Sequence, residues 1–532
     1  MKATTSLFLI LFLSVITLTA RTSDRSEWVI ECGDRIQNTL ASQSNHAYIE
    51  LDHDHFVYGL INKETMDAVG DSLPDLIGLD DGWNTLYPSG ETTCALGDDF
   101  HFWVRAADRN RLVVYLYGGG GCWDAETCDP ERESYTYTST IEPAMHPAEQ
   151  NGIFDLDHPD NPVAGYSFVA VPVCTGDAFL GDRDVTYTLK TDSGETRQFK
   201  IHHRGQTNTM AVMDWIYANF ESPQEIFVAG SSAGSIGTPF YASLLAQHYP
   251  EARVAGLGDD SGSYGSEAMT GSDVGQWGIP DVMRRHRGWE EFEDNAGIEK
   301  LYIHAARSVP NLGLYQFDHA HDEAQRFYLE LANAELTDVS HHLRANRQSI
   351  LEQVPEFRSF TAGGYQHTVL TRETFYHYHT NGHPLRDWVA AVVAGESVAS
   401  VDCGDDCGQP GLIYSEQDLR IINNTIELLS KPGTWNPTDV PGPCPTGADQ
   451  YSLRCAAAEI AQQVTGHRPS GYNNVPPALL DLIFTITDRL PDRQQGNPLG
   501  VYNNQPDTTV ADMIALLEEV RERIRTNLSD NR

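Results

Sequence analysis

Residues 226–236, Ile-Phe-Val-Ala-Gly-Ser-Ser-Ala-Gly-Ser-Ile, constrain this chain more than any other stretch. An apolar run of strand character stops at Gly-x-Ser-x-Gly, and Thr238 to His248 then reads as a helix. The pattern predicts a buried strand, a turn too tight for side chains at Gly230 and Gly234, and a helix, with Ser232 at the apex. A serine held there is pushed out of the sheet edge. Its oxygen faces the N-terminal end of the next helix, where free N–H groups can stabilise an oxyanion. A glycine-rich turn without chemistry is the alternative, and the strand before and helix after weigh against it.

A second stretch has the same design. Leu112-Val-Val-Tyr-Leu-Tyr117 is a continuous apolar run that leads into Gly118-Gly-Gly-Gly121 and then Cys122-Trp123. Glycines after a buried strand let backbone N–H groups approach a ligand closely. Hydrolases with a Gly-x-Ser-x-Gly turn take one oxyanion donor from such a loop and another from the residue after the nucleophile. That assigns Gly119, Gly120 and Ala233 as donors. A phosphate cradle is the competing reading. It lacks both Gly-x-Gly-x-x-Gly and Gly-x4-Gly-Lys-Ser/Thr, and Cys-Trp stands where its helix should begin.

A serine hydroxyl becomes a useful nucleophile only when a histidine takes its proton and a carboxylate fixes that histidine's tautomer. In strand–Ser–helix enzymes the chain order is Ser, then Asp or Glu, then His. Downstream of Ser232, His367 lies in the loop Ala362-Gly-Gly-Tyr-Gln-His-Thr368 and is the predicted base. Asp322 follows the apolar run Leu312–Phe317 and opens a helical run from Glu323 to Leu331, which makes it the predicted acid. Asp is also a favoured helix N-cap, so Asp322 has a purely structural alternative. Asp260 is its main rival, with Asp259 at the same strand end and Asp318 four residues before Asp322.

Several motifs resemble the pectin acetylesterase family, which includes the Notum carboxylesterases. They are Leu116-Tyr-Gly-Gly-Gly-Gly-Cys-Trp-Asp124, Val173-Cys-Thr-Gly-Asp177, Leu180-Gly-Asp182 and His203-Arg-Gly-Gln-Thr-Asn208. The turn Ala229–Gly234, Asp322-Glu-Ala-Gln325 and Gly364-Tyr-Gln-His-Thr-Val-Leu370 complete an ordered set across roughly residues 80–380. The resemblance implies an α/β-hydrolase fold and a Ser232/Asp322/His367 triad that cleaves carboxylic esters, commonly acetyl groups on polysaccharide such as pectin. It places the Asp-Ser after the Val254–Gly258 strand near the site without making it the acid. A Notum-like pocket for longer acyl chains is an open alternative, because chain length depends on pocket walls.

At 532 residues the chain can bury a large core. The expected architecture is a doubly wound, mostly parallel sheet with helical insertions and a helical C-terminal extension. Met1-Lys2, the apolar run Leu7–Ile16 and the small residues ending at Ala20 read as an export signal, too short for a membrane anchor. The expected divisions are a signal at 1–20, an esterase domain at 21–430, and a loop plus helical extension at 431–532 packed on it. The expected location is secreted or periplasmic. Nine cysteines agree, with 122/128, 403/407 and 444/455 spaced as local disulfides and Cys32 expected to be free.

With 75 Asp+Glu against 36 Lys+Arg the formal net charge is −39. Nucleic-acid binding needs a basic footprint, and docking on anionic membranes needs one too, so both are excluded. Arg105, Arg183 and Arg204 are candidates for a local offset in a cleft that meets an acidic polysaccharide, each with a plain surface role as alternative. The expected partner is an acylated carbohydrate or other ester; the protein is expected to be a monomer and to need no cofactor or metal. Two rivals remain. Histidines at Asp52-His-Asp-His55 and His319-Ala-His-Asp322 suggest a metal-dependent deacetylase or hydrolase. A glycan-binding protein that has lost catalysis is the other.

Overall fold

The computed structural model describes residues 73–530, except 133–135, 191–193, 267–274, 405–406, 470–474 and 491–496, together with the backbone of short strands before residue 63. Those early strands pair Ser6–Leu11 with Ser14–Thr22, Ser14–Thr22 with Trp28–Glu31, and His46–Ala47 with Ile61–Asn62. Cys32 and Asp52–His55 lie outside the described residues. The chain divides into two compact units, Met1–Pro74 and Asp75–Arg532, and the candidate site belongs to the second.

That second unit is built on an eight-stranded sheet. In chain order its strands are β1 (Trp83–Leu86), β2 (Phe102–Arg105), β3 (Asp108–Leu116), β4 (Tyr166–Val171), β5 (Glu225–Ser231), β6 (Arg253–Asp259), β7 (Gly313–His319) and β8 (Arg358–Ala362). They lie side by side as β8-β7-β6-β5-β3-β4-β2-β1. Every pairing from β4 to β8 is parallel, and β2 and β1 add antiparallel pairings at one edge. The strands are near-continuous Val, Ile, Leu, Phe and Ala runs because both faces are covered. Val113, Tyr115, Phe227, Ala229, Leu257, Phe317 and Phe360 point into one core, while the alternating Leu112, Val114, Ile226 and Val228 are equally buried on the other side.

The α/β-hydrolase-like architecture expected from the motifs is thus present. Helix α1 (Gly205–Asn219) precedes β5, and α2 (Ala233–His248) leaves it and packs back on β5 and β6. Helix α3 (Ile298–Ser308) lies against α2; α4 (Glu323–Leu331) and α5 (Val339–Leu351) fill the connection from β7 to β8. Strand order reverses between β3 and β5: from β3 the sheet grows through β4 one way, and from β5 through β6, β7 and β8 the other. Loops leaving neighbouring strands diverge there and open a crevice at their carboxyl ends. The glycine loop and Ser232 are the two segments that leave that point.

Helices after residue 384 complete the opposite face. Leu385, Trp388, Val389 and Val392 of α6 (Leu385–Ala394) share the sheet's core with Ile421 and Ile422 of α7 (Glu416–Ser430). The same core takes in Leu453 and Ile460 of α8 (Leu453–Thr465), Leu480 and Phe484 of α9 (Pro477–Thr487), and Leu516 and Leu517 of α10 (Val510–Asp530). Among the described residues no helix is long and apolar enough to cross a membrane.

Among the described residues four disulfides tie loops: Cys122–Cys128, Cys403–Cys407, Cys444–Cys455 and Cys94–Cys174. The first three are the local pairs expected; the fourth spans 80 residues and carries no spacing signal. An antiparallel hairpin, Arg183–Lys190 with Thr196–His203, was also not expected. Alternating Val185, Tyr187 and Leu189 before Ser193-Gly194 is the signal that marks it.

Because Leu516 is fully buried in the shared core, Leu516→Ala is expected to cost about 2–5 kcal/mol. Chemical denaturation followed by intrinsic fluorescence should show one earlier transition. Two separated transitions would mean that the C-terminal helices melt on their own.

Candidate active site

Ser232 sits between β5 and α2 with φ 53° and ψ −122°, a region that non-glycine residues seldom occupy. Two close approaches force this geometry. A Cβ at Gly230 would lie 2.4 Å from the Gly234 carbonyl oxygen, and one at Gly234 would lie 2.0 Å from that of Leu116. The Ser232 N–H donates to the Asp259 carbonyl (2.8 Å), and its carbonyl accepts from Ser235 N–H (2.8 Å) and Ser261 Oγ–H (2.7 Å). The elbow is therefore stitched to the end of β6 as well as to its own helix.

Beside it runs the loop from β3. A Cβ on Gly118 would lie 3.0 Å from the Ser232 Cβ, so the glycine backbone passes directly against the serine. Gly120 has φ +71°, and a Cβ there would lie about 2 Å from both the Thr136 carbonyl oxygen and the Tyr328 hydroxyl. Tyr328, from α4, also donates its hydroxyl to Thr136. Ala233 is the first residue of α2, where an N–H has no acceptor within the helix. Downstream, the Cys122–Cys128 bridge and the Trp277 indole N–H bonded to the Cys122 carbonyl (2.7 Å) close the loop.

His367 Nδ1 meets Asp322 Oδ2 at 2.7 Å. Asp322 is fully buried and heads α4, where its other oxygen accepts from Ala324 N–H (2.8 Å) and Gln325 N–H (2.9 Å). The cap and the histidine partner are thus one carboxylate using two oxygens. Burial opposes ionisation, but His367 and the capping amides outweigh it and hold Asp322 below its ordinary pKa. Burial likewise disfavours the imidazolium, yet the Asp322 carboxylate leaves His367 above its ordinary value.

The other carboxylates have different partners. Asp318 is paired with Arg347 (2.7 Å) and accepts from Gly262 N–H (2.8 Å). Asp260 faces His319: its oxygens accept from the His319 N–H (2.6 Å) and meet His319 Nδ1 (2.8 Å). Asp259 accepts from Ser231 Oγ–H (2.5 Å), Val369 N–H (3.1 Å) and Leu370 N–H (3.0 Å). Thr368 N–H donates to Asp260 Oδ2 at 2.7 Å. So Asp259 holds Ser232 by its carbonyl, and its side chain together with that of Asp260 holds the three residues after His367. That double anchorage was not read from the sequence, where both residues stood as rival acids and the family resemblance put Asp260-Ser261 near the site without a role.

Asp260, Asp322 and His367 bring potential ligand atoms within 4.8 Å of one another. In this arrangement the Asp322–His367 and Asp260–His319 contacts already use those oxygens. His319 and Asp322 of the His-Ala-His-Asp run turn to different partners. Cys122, Cys128 and His203 also cluster, but the two sulfurs are bonded to each other. Of the arginines, Arg183 pairs with Asp281 (2.5 Å) and Arg204 with Asp184 (2.9 Å) and Glu91 (3.2 Å), so neither presents an unpaired cation. Trp277, Trp289 and Phe292 are buried in the packing.

Arg347 faces a buried carboxylate that burial already raises above its ordinary pKa. A folded-state pKa above the unfolded one means stability is lost as pH rises, and removing the guanidinium steepens that loss. Arg347→Met is expected to destabilise by about 3–5 kcal/mol at neutral pH and by less in acid. Urea unfolding at several pH values checks both the size and the sign.

Residues 92–291 match the family model described as pectinacetylesterase. Pectin acetylesterase 4 of Arabidopsis thaliana is 26% identical over 155 residues, 29% of this chain and 36% of that protein. The chain therefore covers about a third of that relative's length. The family resemblance read from the motifs is borne out across this segment, which contains the glycine loop, Ser232 and Ala233 and ends before Asp322 and His367.

Proposed function

We propose that the protein is a serine carboxylesterase that removes short acyl groups, acetyl above all, from an esterified polysaccharide such as pectin. The observation that carries the reading is Ser232 on a strained elbow beside a glycine loop, with a histidine–aspartate pair tied to the same strand end. The pectinacetylesterase match over the glycine loop and the elbow points to the same substrate class. The sequence signal at residues 1–20 and the four disulfides favour an exported protein.

His367 takes the proton from Ser232 Oγ through Nε2, the nitrogen left over when Nδ1–H donates to Asp322. Ser232 attacks the ester carbonyl, and the oxyanion is held by the N–H groups of Gly119, Gly120 and Ala233. His367 returns the proton to the departing sugar hydroxyl, which leaves Ser232 acylated. A water deprotonated by His367 then attacks the acyl-enzyme, releases the carboxylic acid and restores the serine. Asp322 stays ionised throughout and stabilises the imidazolium.

The test is hydrolysis of para-nitrophenyl esters from acetate to palmitate. Ser232→Ala is expected to lose at least about a thousandfold in kcat while keeping its fold. Activity should peak at acetate and ignore chelator; a peak at longer chains would move the substrate to a longer acyl group, and activity that survives Ser232→Ala but dies with chelator would mean a metal enzyme.

A second test uses pH. His367 must be neutral to act, and Asp322 raises its pKa, so kcat/KM should fall as pH drops through a value above that of an ordinary histidine. Asp322→Asn should lose about 10³–10⁴-fold in kcat and move that acid limb to lower pH.

A further inference from the structure

Three non-glycine residues around the site hold positive φ: Ser232 at 53°, Asp260 at 60° and Thr368 at 62°. Asp tolerates this region through its short polar side chain, but for β-branched Thr it is a true outlier. Strain of this kind persists only where the surroundings over-determine it, and it concentrates where geometry matters to function. Thr368 directly follows His367, so its φ sets the direction in which the imidazole leaves the loop. The Thr368 N–H is held by Asp260 Oδ2 (2.7 Å), the oxygen that also meets His319 Nδ1 (2.8 Å).

His319 has no place in the esterase chemistry described above, although it is fully buried. Its ring packs edge-on against Phe317 and Tyr378, with centroids 5.0 and 5.6 Å away. Its Nε2 is buried and finds no hydrogen-bond partner among the described residues. An imidazole buried with one nitrogen unsatisfied costs more than an apolar ring of its size. The contact at Nδ1 is what the residue contributes, and it is spent on Asp260. Two His–Asp pairs thus stand next to each other: one on the elements that carry His367, and one behind the residue that follows it.

We propose that Asp260 and His319 form a positioning pair for His367, in which His319 Nδ1–H fixes the Asp260 carboxylate and that carboxylate holds Thr368 in its left-handed turn. The proposal rests on the serine-esterase reading of the site. Neither residue touches substrate; both act through His367. The charged and titratable groups around them are Asp259 from β6, Tyr264 after it, Asp318 from β7 with Arg347 from α5, Asp322 at the head of α4, His367 and Arg372 from the following loop, and Tyr378 against the His319 ring. Loss of the Nδ1 donor makes the Asp260 carboxyl easier to protonate. Burial and the neighbouring acids already raise the pKa of Asp260, and the Nδ1–H donor opposes them; without it, less negative charge faces His367 and the imidazolium is less favoured.

The experiment compares His319→Leu, which keeps an apolar side chain without a donor, with His319→Asn, whose amide offers a donor near the Nδ1 position. Rates are normalised to active sites titrated with an organophosphonate. His319→Leu is expected to lose about 10–100-fold in kcat with KM within about twofold. Its acid limb in kcat/KM should move to lower pH by about half a unit, and His319→Asn should recover most of both. If Leu is not tolerated, the adaptable His319→Met makes the same comparison. Wild-type kcat and pH profile in His319→Leu would overturn the proposal, as would loss of titratable sites with an unchanged profile in those that remain. Equal damage in His319→Asn would also overturn it. Hydrolysis that persists in Ser232→Ala would remove the serine reading and the pair together; loss there with a silent His319→Leu removes the pair alone.

Discussion

Everything at the site hangs on the two carboxylates that end β6. The Asp259 carbonyl receives the Ser232 amide, and the Asp259 and Asp260 side chains receive the amides of Thr368, Val369 and Leu370. Both are fully buried. Buried carboxylates are costly unless N–H and O–H donors surround them, and here the donors come from the segments that must be aligned. The Ser231 hydroxyl, itself bonded to Tyr115, supplies one more. Burial and the neighbouring acids push Asp260 well above its ordinary pKa. The acidic cluster is therefore held by its hydrogen bonds and would not tolerate loose packing.

Helix α4 is fastened by a similar economy of groups. One oxygen of Asp322 caps α4 and the other meets His367. Further along that helix, Tyr328 reaches across to Thr136 opposite the glycine loop. A single helix thereby links the carboxylate that meets His367 to the wall behind the glycine loop. Gly120 has no room for any side chain in that contact, so loop, helix and elbow form one packed assembly.

Local features were legible in the sequence alone. Apolar runs marked β3, β5, β6 and β7, because a parallel strand covered on both faces has no polar side to interrupt it. The Gly-x-Ser-x-Gly elbow and the helix from Glu323 to Leu331 were readable for the same reason: each is set by neighbours within a few residues. Cys122/Cys128, Cys403/Cys407 and Cys444/Cys455 were readable by closeness. The Cys94–Cys174 bridge, the hairpin ending at His203, and the roles of Asp259, Asp260 and His319 were not. Each depends on which distant segments the sheet brings together, and an Asp-Asp at a strand end looks the same whether it serves as acid, cap or anchor.

By itself, then, the sequence determined the strand–turn–helix geometry at Ser232, the glycine loop beside it, and a short set of acids and histidines able to complete a site. These follow from backbone sterics and hydrophobic periodicity, which act over a few residues. Only the tertiary structure decided which partner each acid meets. It gave Asp322 to His367, Asp318 to Arg347 and Asp260 to His319, because a carboxylate's role is set by the donors that surround it once water is gone. Those donors lie 29 to 59 residues from their carboxylates and share no local pattern.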